Sequence, residues 1–177
     1  MRKILFLDRD GVVNQEKNYV HKIDDFNLIE TFVQGVRYFI KRGYSIIIIT
    51  NQSGIGRGYY DEFQYEILKD HFLKKMKDLQ IPILDIYHCP HLPEDSCICR
   101  KPSPGLVYEA YSDYNIDKDQ SILVGDKISD ALCGINAGIK NNYLVRTGHE
   151  INENKVPKNI MVFNDLVELS KYIEKEK

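Results

Sequence analysis

Two aspartates one residue apart, Asp8 and Asp10, close the short apolar run over 4–7, and Gly11 follows at once. A strand sends residues i and i+2 to the same side. The two carboxylates are therefore expected close together, where the strand leaves the core. Carboxylates that near one another repel unless a cation sits between them or one takes up a proton. The pair asks for a metal, a shared proton or an odd loop. Further along, Thr50, Asn51, Gln52 and Ser53 belong to TNQSG, Arg100 and Lys101 begin RKP, and Asp126, Lys127 and Asp130 belong to GDKISD. Alone, each fragment reads as well as a turn or a helix cap. Together they matter only if the fold gathers them.

A second constellation is CPHLPEDSCICR, which spaces Cys89, His91, Cys97 and Cys99 as C-x-H, five residues, C-x-C. Three thiolates and an imidazole in one short loop can close a tetrahedral zinc site with no open position. Cys97 and Cys99 are too close in sequence for a comfortable disulfide. A zinc here is expected to be structural, pinning a coreless loop and holding Arg100 and Lys101 in place. Cys133 lies among apolar residues and is expected in the core. His21, His71, His88 and His149 are expected to be ordinary.

The elements that would position these groups alternate. Strands are predicted over 3–7, 44–49, 83–88, 121–124, 143–145 and 161–163, with helices near 32–41, 62–79, 104–114 and 129–137 and a closing helix capped by Asn164 or Asp165. Gly43 is placed to end the first helix, and Asp61 with Gln64 offers a capping box for the second. The run over 46–49 is apolar on both faces, as a central parallel strand requires. Strands alternating with helices imply right-handed βαβ units. The fold class expected is α/β, a Rossmann-like doubly wound parallel sheet.

In such sheets ligands bind beyond the carboxyl ends of the strands, at the topological switch point. DRDG, TNQSG and GDKISD all follow strands, so three acidic groups, a hydroxyl and a lysine converge there. Asp8, Asp10 and Asp126 offer hard oxygens in the number magnesium uses while keeping some waters. With magnesium present, Thr50, Asn51 and nearby amides suit phosphoryl oxygens, and Lys101 adds positive charge. SGIGRG lacks the Walker lysine–hydroxyl pair and the dinucleotide spacing. Its glycines serve a sharp turn and leave Arg57 free to reach substrate or solvent.

LDRDGVVN, TNQSG, RKP and GDKISD, in that order, resemble the four motifs of the haloacid dehalogenase superfamily of aspartate-nucleophile phosphatases. NYVHKIDDF, TNQSGIGRGYY, CPHLPEDSCICRKPSPG and VGDKISD resemble the D-glycero-D-manno-heptose 1,7-bisphosphate phosphatases, of which histidinol-phosphate phosphatases are close relatives. The resemblance implies a magnesium-dependent hydrolase with no large cap domain and a zinc-stapled loop. It implies that Asp8 attacks phosphorus and forms a phosphoaspartate, and that Asp10 is the general acid and base. Asp10 would also give its backbone carbonyl to magnesium, with Asp8 and Asp126 as the other protein ligands. Thr50 and Lys101 complete the implied catalytic set. Substrate contacts are implied at Glu16, Lys17, Asn18 and Tyr19, at Thr50, Asn51, Gln52 and Ser53, and at Arg100, Lys101 and Lys127, besides Asp8 and Asp10. Arg100 and Lys17 suit a second phosphate, which a bisphosphate has and histidinol phosphate lacks. Asp130 is expected to act as a cap or behind the ligands, and Arg9 to be structural.

The 177 residues suffice for one domain with a full core, 1–177, and the composition is that of a globular protein, with 43% hydrophobic and 28% charged residues. A net charge of -2 argues against a large nucleic-acid footprint. Asp8 interrupts MRKILFL too early for a signal peptide, and no run has the length of a membrane span. The expectations are a cytoplasmic enzyme, monomeric, with a small phosphorylated sugar as partner and neither nucleic acid nor membrane. KYIEKEK is expected to be a solvated helix end. A receiver domain would share the sheet, magnesium and phosphorylatable aspartate. It would, however, place an adjacent acidic pair after the first strand and the acceptor after the third.

Overall fold

The apolar runs form β1 (Lys3–Leu7), β2 (Tyr44–Asn51), β3 (Ile83–Cys89), β4 (Ile122–Gly125), β5 (Asn141–Val145) and β6 (Met161–Phe163). This is a computed structural model, which describes residues 1–175. Of the KYIEKEK end, Glu176 and Lys177 lie outside the described residues. The strands make one sheet in the order β3-β2-β1-β4-β5-β6, with every neighbouring pair parallel. Leu7 stands opposite Ile48 on one side and Val124 on the other, so β1 is central.

The helices are α1 (Glu30–Lys41), α2 (Ser53–Gly56), α3 (Glu62–Asp78), α4 (Gly105–Asp113), α5 (Ile128–Asn136) and α6 (Leu166–Lys175). The period of two along the strands sorts their side chains between two layers. Leu5, Leu7, Ile46 and Ile48 pack with Phe32, Val36 and Phe39 of α1, Leu68, Phe72 and Met76 of α3, and Leu169 and Ile173 of α6. Ile4, Phe6, Ile47 and Ile49 face the other way, onto Leu106, Val107 and Ala110 of α4 and Cys133 of α5. The four isoleucines of β2 are wholly buried. Each contributes about 1.5–3 kcal/mol by leaving water, which fixes the strand that carries Thr50 and Asn51.

Local chemistry sets the ends. Asp61 Oδ1 accepts from Gln64 N at 2.8 Å, and Asp61 N donates to Gln64 Oε1 at 3.0 Å, which is the expected capping box. Gly43 follows α1 at φ +82°, a conformation glycine adopts without steric cost. Asp165, not Asn164, caps α6, with Oδ1 accepting from Glu168 N at 2.8 Å. One α-helix was unforeseen among the described residues. α2 occupies part of the segment expected as a glycine-rich loop, because a four-residue turn is too short to leave any apolar period.

The chain crosses to one side of β1 to make β2 and β3, then to the other to make β4, β5 and β6. The carboxyl ends of β1, β2 and β4 therefore open onto one crevice at the reversal, and each is followed by its polar motif.

Candidate active site

Asp8 is the first residue past β1, and its amide still bonds to Val124 O of β4 at 3.0 Å. The strand ladder thus fixes the backbone that presents the carboxylate. Its Oδ1 accepts from Lys101 Nζ at 2.7 Å. Lys101 is itself 4% exposed, and its ammonium also meets Asp130 Oδ1 at 2.7 Å and Ile49 O at 2.9 Å. Burial pushes the Asp8 carboxyl up to about 8; the Lys101 ammonium opposes this, while Asp130 and Asp126 add to it. Lys101 is held above its ordinary value because the attraction of Asp130 and Asp8 outweighs the cost of burying it. Three carboxylates against one ammonium leave the site short of positive charge.

Asp126 follows β4 and is fully buried. Its Oδ2 accepts from His149 N at 2.8 Å and from His149 Nδ1 at 2.7 Å. Its Oδ1 is buried and has no hydrogen-bond partner. An orphan carboxylate oxygen is costly unless something absent from the protein itself satisfies it. Oxygens of Asp8, Asp126 and Asp130 gather within 4.8 Å of one another. Asp130, however, is already committed. Its Oδ2 accepts from Asp126 N at 3.2 Å and Lys127 N at 2.9 Å, capping α5, while Oδ1 holds Lys101. Asp8 and the free oxygen of Asp126 are thus the side chains fitted to a hard cation. Backbone crowds this corner: a Cβ on Gly11, which sits at φ +92°, or on Gly148 would collide with the Asp126 carboxylate.

Asp10 sits differently. Its carboxylate is gripped by Arg9, with Nη2 at 2.8 Å from Oδ2 and 3.0 Å from Oδ1, and takes Asn14 Nδ2 at 2.9 Å and Gln52 Nε2 at 3.0 Å. It is not among the gathered oxygens, which leaves only its main-chain carbonyl for a metal. Arg9 was expected to be structural, and its partner is Asp10 itself. Its long side chain also donates to Val20 O at 2.7 Å and stacks 5.9 Å from the Tyr65 ring centroid.

The crevice holds about 370 Å³ and is lined by Asp8, Asp10, Thr50 and Lys101 at its floor. Of the expected substrate contacts, Glu16, Asn18 and Tyr19 line it from the loop after β1, Asn51, Gln52 and Ser53 from β2 and α2, and Arg100 and Lys127 from the segments after β3 and β4. Two differ from expectation. Lys17 is exposed and is not among the lining residues. Asn51 lines the crevice but spends its carboxamide on the Lys101 backbone, accepting from its N at 3.1 Å and donating to its O at 3.2 Å. It positions Lys101 rather than offering a free donor. Three lining residues were not foreseen: Tyr60, Ser129 and His149. His149 follows β5 in TGH, so the polar-after-strand signal that marked the other motifs was present there too.

Beyond β3, ligand atoms of Cys89, His91, Cys97 and Cys99 lie within 4.8 Å of one another. The sulfur–sulfur distances are 3.0, 3.5 and 3.6 Å, and His91 Nδ1 stands 3.2 Å from Cys99 and 3.5 Å from Cys89. All four cysteines are free. These separations are close to the edges of a tetrahedron with zinc–ligand bonds of about 2.0–2.3 Å. The loop also steadies the crevice wall, because Arg100 N donates to Cys97 Sγ at 3.4 Å and Arg100 Nη1 to His91 O at 3.2 Å.

Comparison with known proteins agrees with this geometry. Residues 3–159 match the family model described as polynucleotide kinase 3 phosphatase. A D-glycero-alpha-D-manno-heptose-1,7-bisphosphate 7-phosphatase of Photorhabdus laumondii is 48% identical over 97% of each chain. A D-glycero-beta-D-manno-heptose-1,7-bisphosphate 7-phosphatase of Haemophilus ducreyi is 42% identical over 97% of this chain and 98% of its own. Among solved structures, the D,D-heptose 1,7-bisphosphate phosphatase of B. bronchiseptica, complexed with magnesium and phosphate, superposes with a TM-score of 0.87 at 30% identity, covering 99% of both chains.

Proposed function

This chain belongs to the D-glycero-D-manno-heptose 1,7-bisphosphate phosphatase family, and from that membership we infer that it removes the 7-phosphate of a heptose 1,7-bisphosphate with magnesium as cofactor. The observation that carries the assignment of chemistry to residues is the buried Asp8–Lys101 pair of 2.7 Å beside the orphan oxygen of Asp126. A nucleophilic carboxylate can approach a phosphate dianion only if both charges are offset.

Asp8 attacks phosphorus in line, forming an acyl phosphate as the bond from phosphorus to the sugar oxygen breaks. Asp10 gives a proton to that departing oxygen and afterwards takes one from water. The water oxygen bonds to phosphorus, the bond to Asp8 breaks, and inorganic phosphate leaves. Lys101 keeps one Asp8 oxygen fixed and compensates charge throughout. Asp8, the free oxygen of Asp126 and the Asp10 carbonyl would hold magnesium, which when bound supplies charge neutralisation and keeps Asp8 ionised. Arg100, at the wall, is suited to the phosphate that is not cleaved.

The four-ligand loop is assigned a structural zinc, supported by the donor set and its spacing. One domain carries the whole activity and acts as a monomer in the cytoplasm; no helix among the described residues is long and apolar enough to cross a membrane. The alpha anomer is the preferred substrate, a preference supported by the higher identity to the relative named for it.

Phosphate release with magnesium should be measured on both anomers of the heptose bisphosphate, on histidinol phosphate and on a 3′-phosphorylated oligonucleotide. The expected kcat/KM is at least about tenfold higher on a heptose bisphosphate than on either of the last two, with the heptose 1-phosphate left intact. Faster turnover of histidinol phosphate or of the oligonucleotide would overturn the substrate assignment.

A further inference from the structure

Tyr60 ends the TNQSGIGRGYY stretch without being among the site residues expected from it, yet it lines the crevice. It follows α2, is 4% exposed, and its hydroxyl donates to Gln52 Oε1 at 2.5 Å. Gln52 is equally buried, and its other end is committed as well, with Nε2 donating to Asp10 Oδ2 at 3.0 Å and to Thr50 Oγ1 at 2.8 Å. The phenol therefore decides which end of the carboxamide faces Asp10. Were the amide turned over, its oxygen would meet the carboxylate and the Tyr60 hydroxyl would lose its acceptor. Burial pushes the phenol up to about 12, so it remains a donor at neutral pH.

The ring itself is clamped. A Cβ on Gly54 would collide with it, so the glycine lets backbone approach the ring closely. The His21 imidazole stacks on it 4.8 Å away, 6° from parallel. His21 belongs to the loop that brings Glu16, Asn18 and Tyr19 to the crevice, and its Nδ1 is 2.7 Å from Tyr19 O. Tyr60 thus joins the substrate-facing loop to Gln52, and through it to Asp10.

We propose that Tyr60 is a positioning residue for the proton-transfer step: by fixing the carboxamide of Gln52 it aims the Asp10 carboxyl at the departing sugar oxygen. This rests on Asp10 being the general acid. An alkoxide leaving group needs that proton; a nitrophenolate does not. Loss of aim therefore penalises sugar phosphates selectively, whereas a general loosening of the site penalises both substrates alike.

The experiment compares kcat/KM, which covers the steps through phosphoenzyme formation, for heptose bisphosphate and 4-nitrophenyl phosphate in the magnesium-loaded enzyme. Tyr60→Phe keeps the clamped ring and removes only the hydroxyl, and thermal melting checks that it folds. The ratio of sugar to aryl activity is expected to fall about tenfold. Gln52→Met should lower the same ratio, and adding Tyr60→Phe to it should lower the ratio no further, since both act through one contact. An unchanged ratio in Tyr60→Phe, or losses that multiply in the double variant, would overturn the proposal. Asp10→Asn separates the two levels. If it lowers the ratio while Tyr60→Phe does not, only the role of Tyr60 is wrong. If Asp10→Asn leaves the ratio intact, the general-acid assignment fails and the proposal falls with it.

Discussion

Replacing Asp8 by asparagine is expected to abolish turnover and, without magnesium, to stabilise the fold. The reason lies in the crowding of Asp8, Asp126 and Asp130 around a single ammonium. Burial and the two neighbouring carboxylates outweigh Lys101 and lift Asp8 from 3.8 to about 8. Keeping that carboxyl protonated at pH 7 costs about 4 kcal/mol, at about 1.4 kcal/mol for each pH unit above its ordinary value. Asparagine is neutral at every pH and can still accept from Lys101 through its amide oxygen. The wild-type carboxyl is neutral at that pH too, so no charge attraction is lost. The amide NH2, however, brings an extra donor to a buried site, and pairing it imperfectly costs about 1–3 kcal/mol, which leaves on the order of 2 kcal/mol. For a chain of this size that is a rise of roughly 4–8 °C in Tm. The assay is thermal denaturation of wild type and Asp8→Asn at pH 7 in magnesium-free buffer, repeated with magnesium. Wild type should gain Tm on adding the ion, and the variant should gain much less. A magnesium-free Asp8→Asn protein no more stable than wild type would refute the account of the charge balance.

The same linkage gives magnesium binding a pH dependence. Because the folded carboxyl of Asp8 lies above its unfolded value, the unfolded chain gives up its proton first. The contribution of Asp8 to stability is thus greatest at low pH and is lost as pH rises toward about 8. Magnesium must displace that proton, so its affinity by titration calorimetry should strengthen from pH 6 to 8 in wild type and stay flat in Asp8→Asn; a flat wild-type profile would contradict this. His149→Ala removes one of the two donors to Asp126 Oδ2 and should weaken magnesium binding roughly tenfold, with unchanged calorimetric affinity counting against that role. Cys97→Ser should lower the zinc content, by metal analysis, from about one per chain, and lower Tm more than it lowers kcat. A wild-type protein purified under reducing conditions with no zinc would remove the structural-metal assignment.

Sequence spacing carried the fold far because β2 is apolar on both faces and the strand–helix alternation admits few topologies. The gathering of Asp8, Asp10, Thr50 and Asp126 was legible for one reason: each lies within three residues of a strand's carboxyl end, where a parallel sheet opens its crevice. The clustering of Cys89, His91, Cys97 and Cys99 was legible because one short loop holds all four. What escaped were contacts set by side-chain reach rather than by period. Arg9 turns under the strand end to grip Asp10, and Asn51 spans to the Lys101 backbone, fifty residues away in sequence. His149 reaches Asp126 from the loop after β5, where the polar residues following the strand gave a signal that was not taken up. Lys17, a suitable charge in the right loop, is exposed and outside the lining of the crevice.

The covalent step at Asp8 is tested most directly by mixing the magnesium-loaded enzyme with heptose bisphosphate, quenching in acid within the first turnover and weighing the peptides. A single phosphoryl group on the peptide bearing Asp8, lost on treatment with hydroxylamine and missing from Asp8→Asn, is the predicted result. Rapid release of phosphate with that peptide never modified, or with the label on another residue, would contradict it.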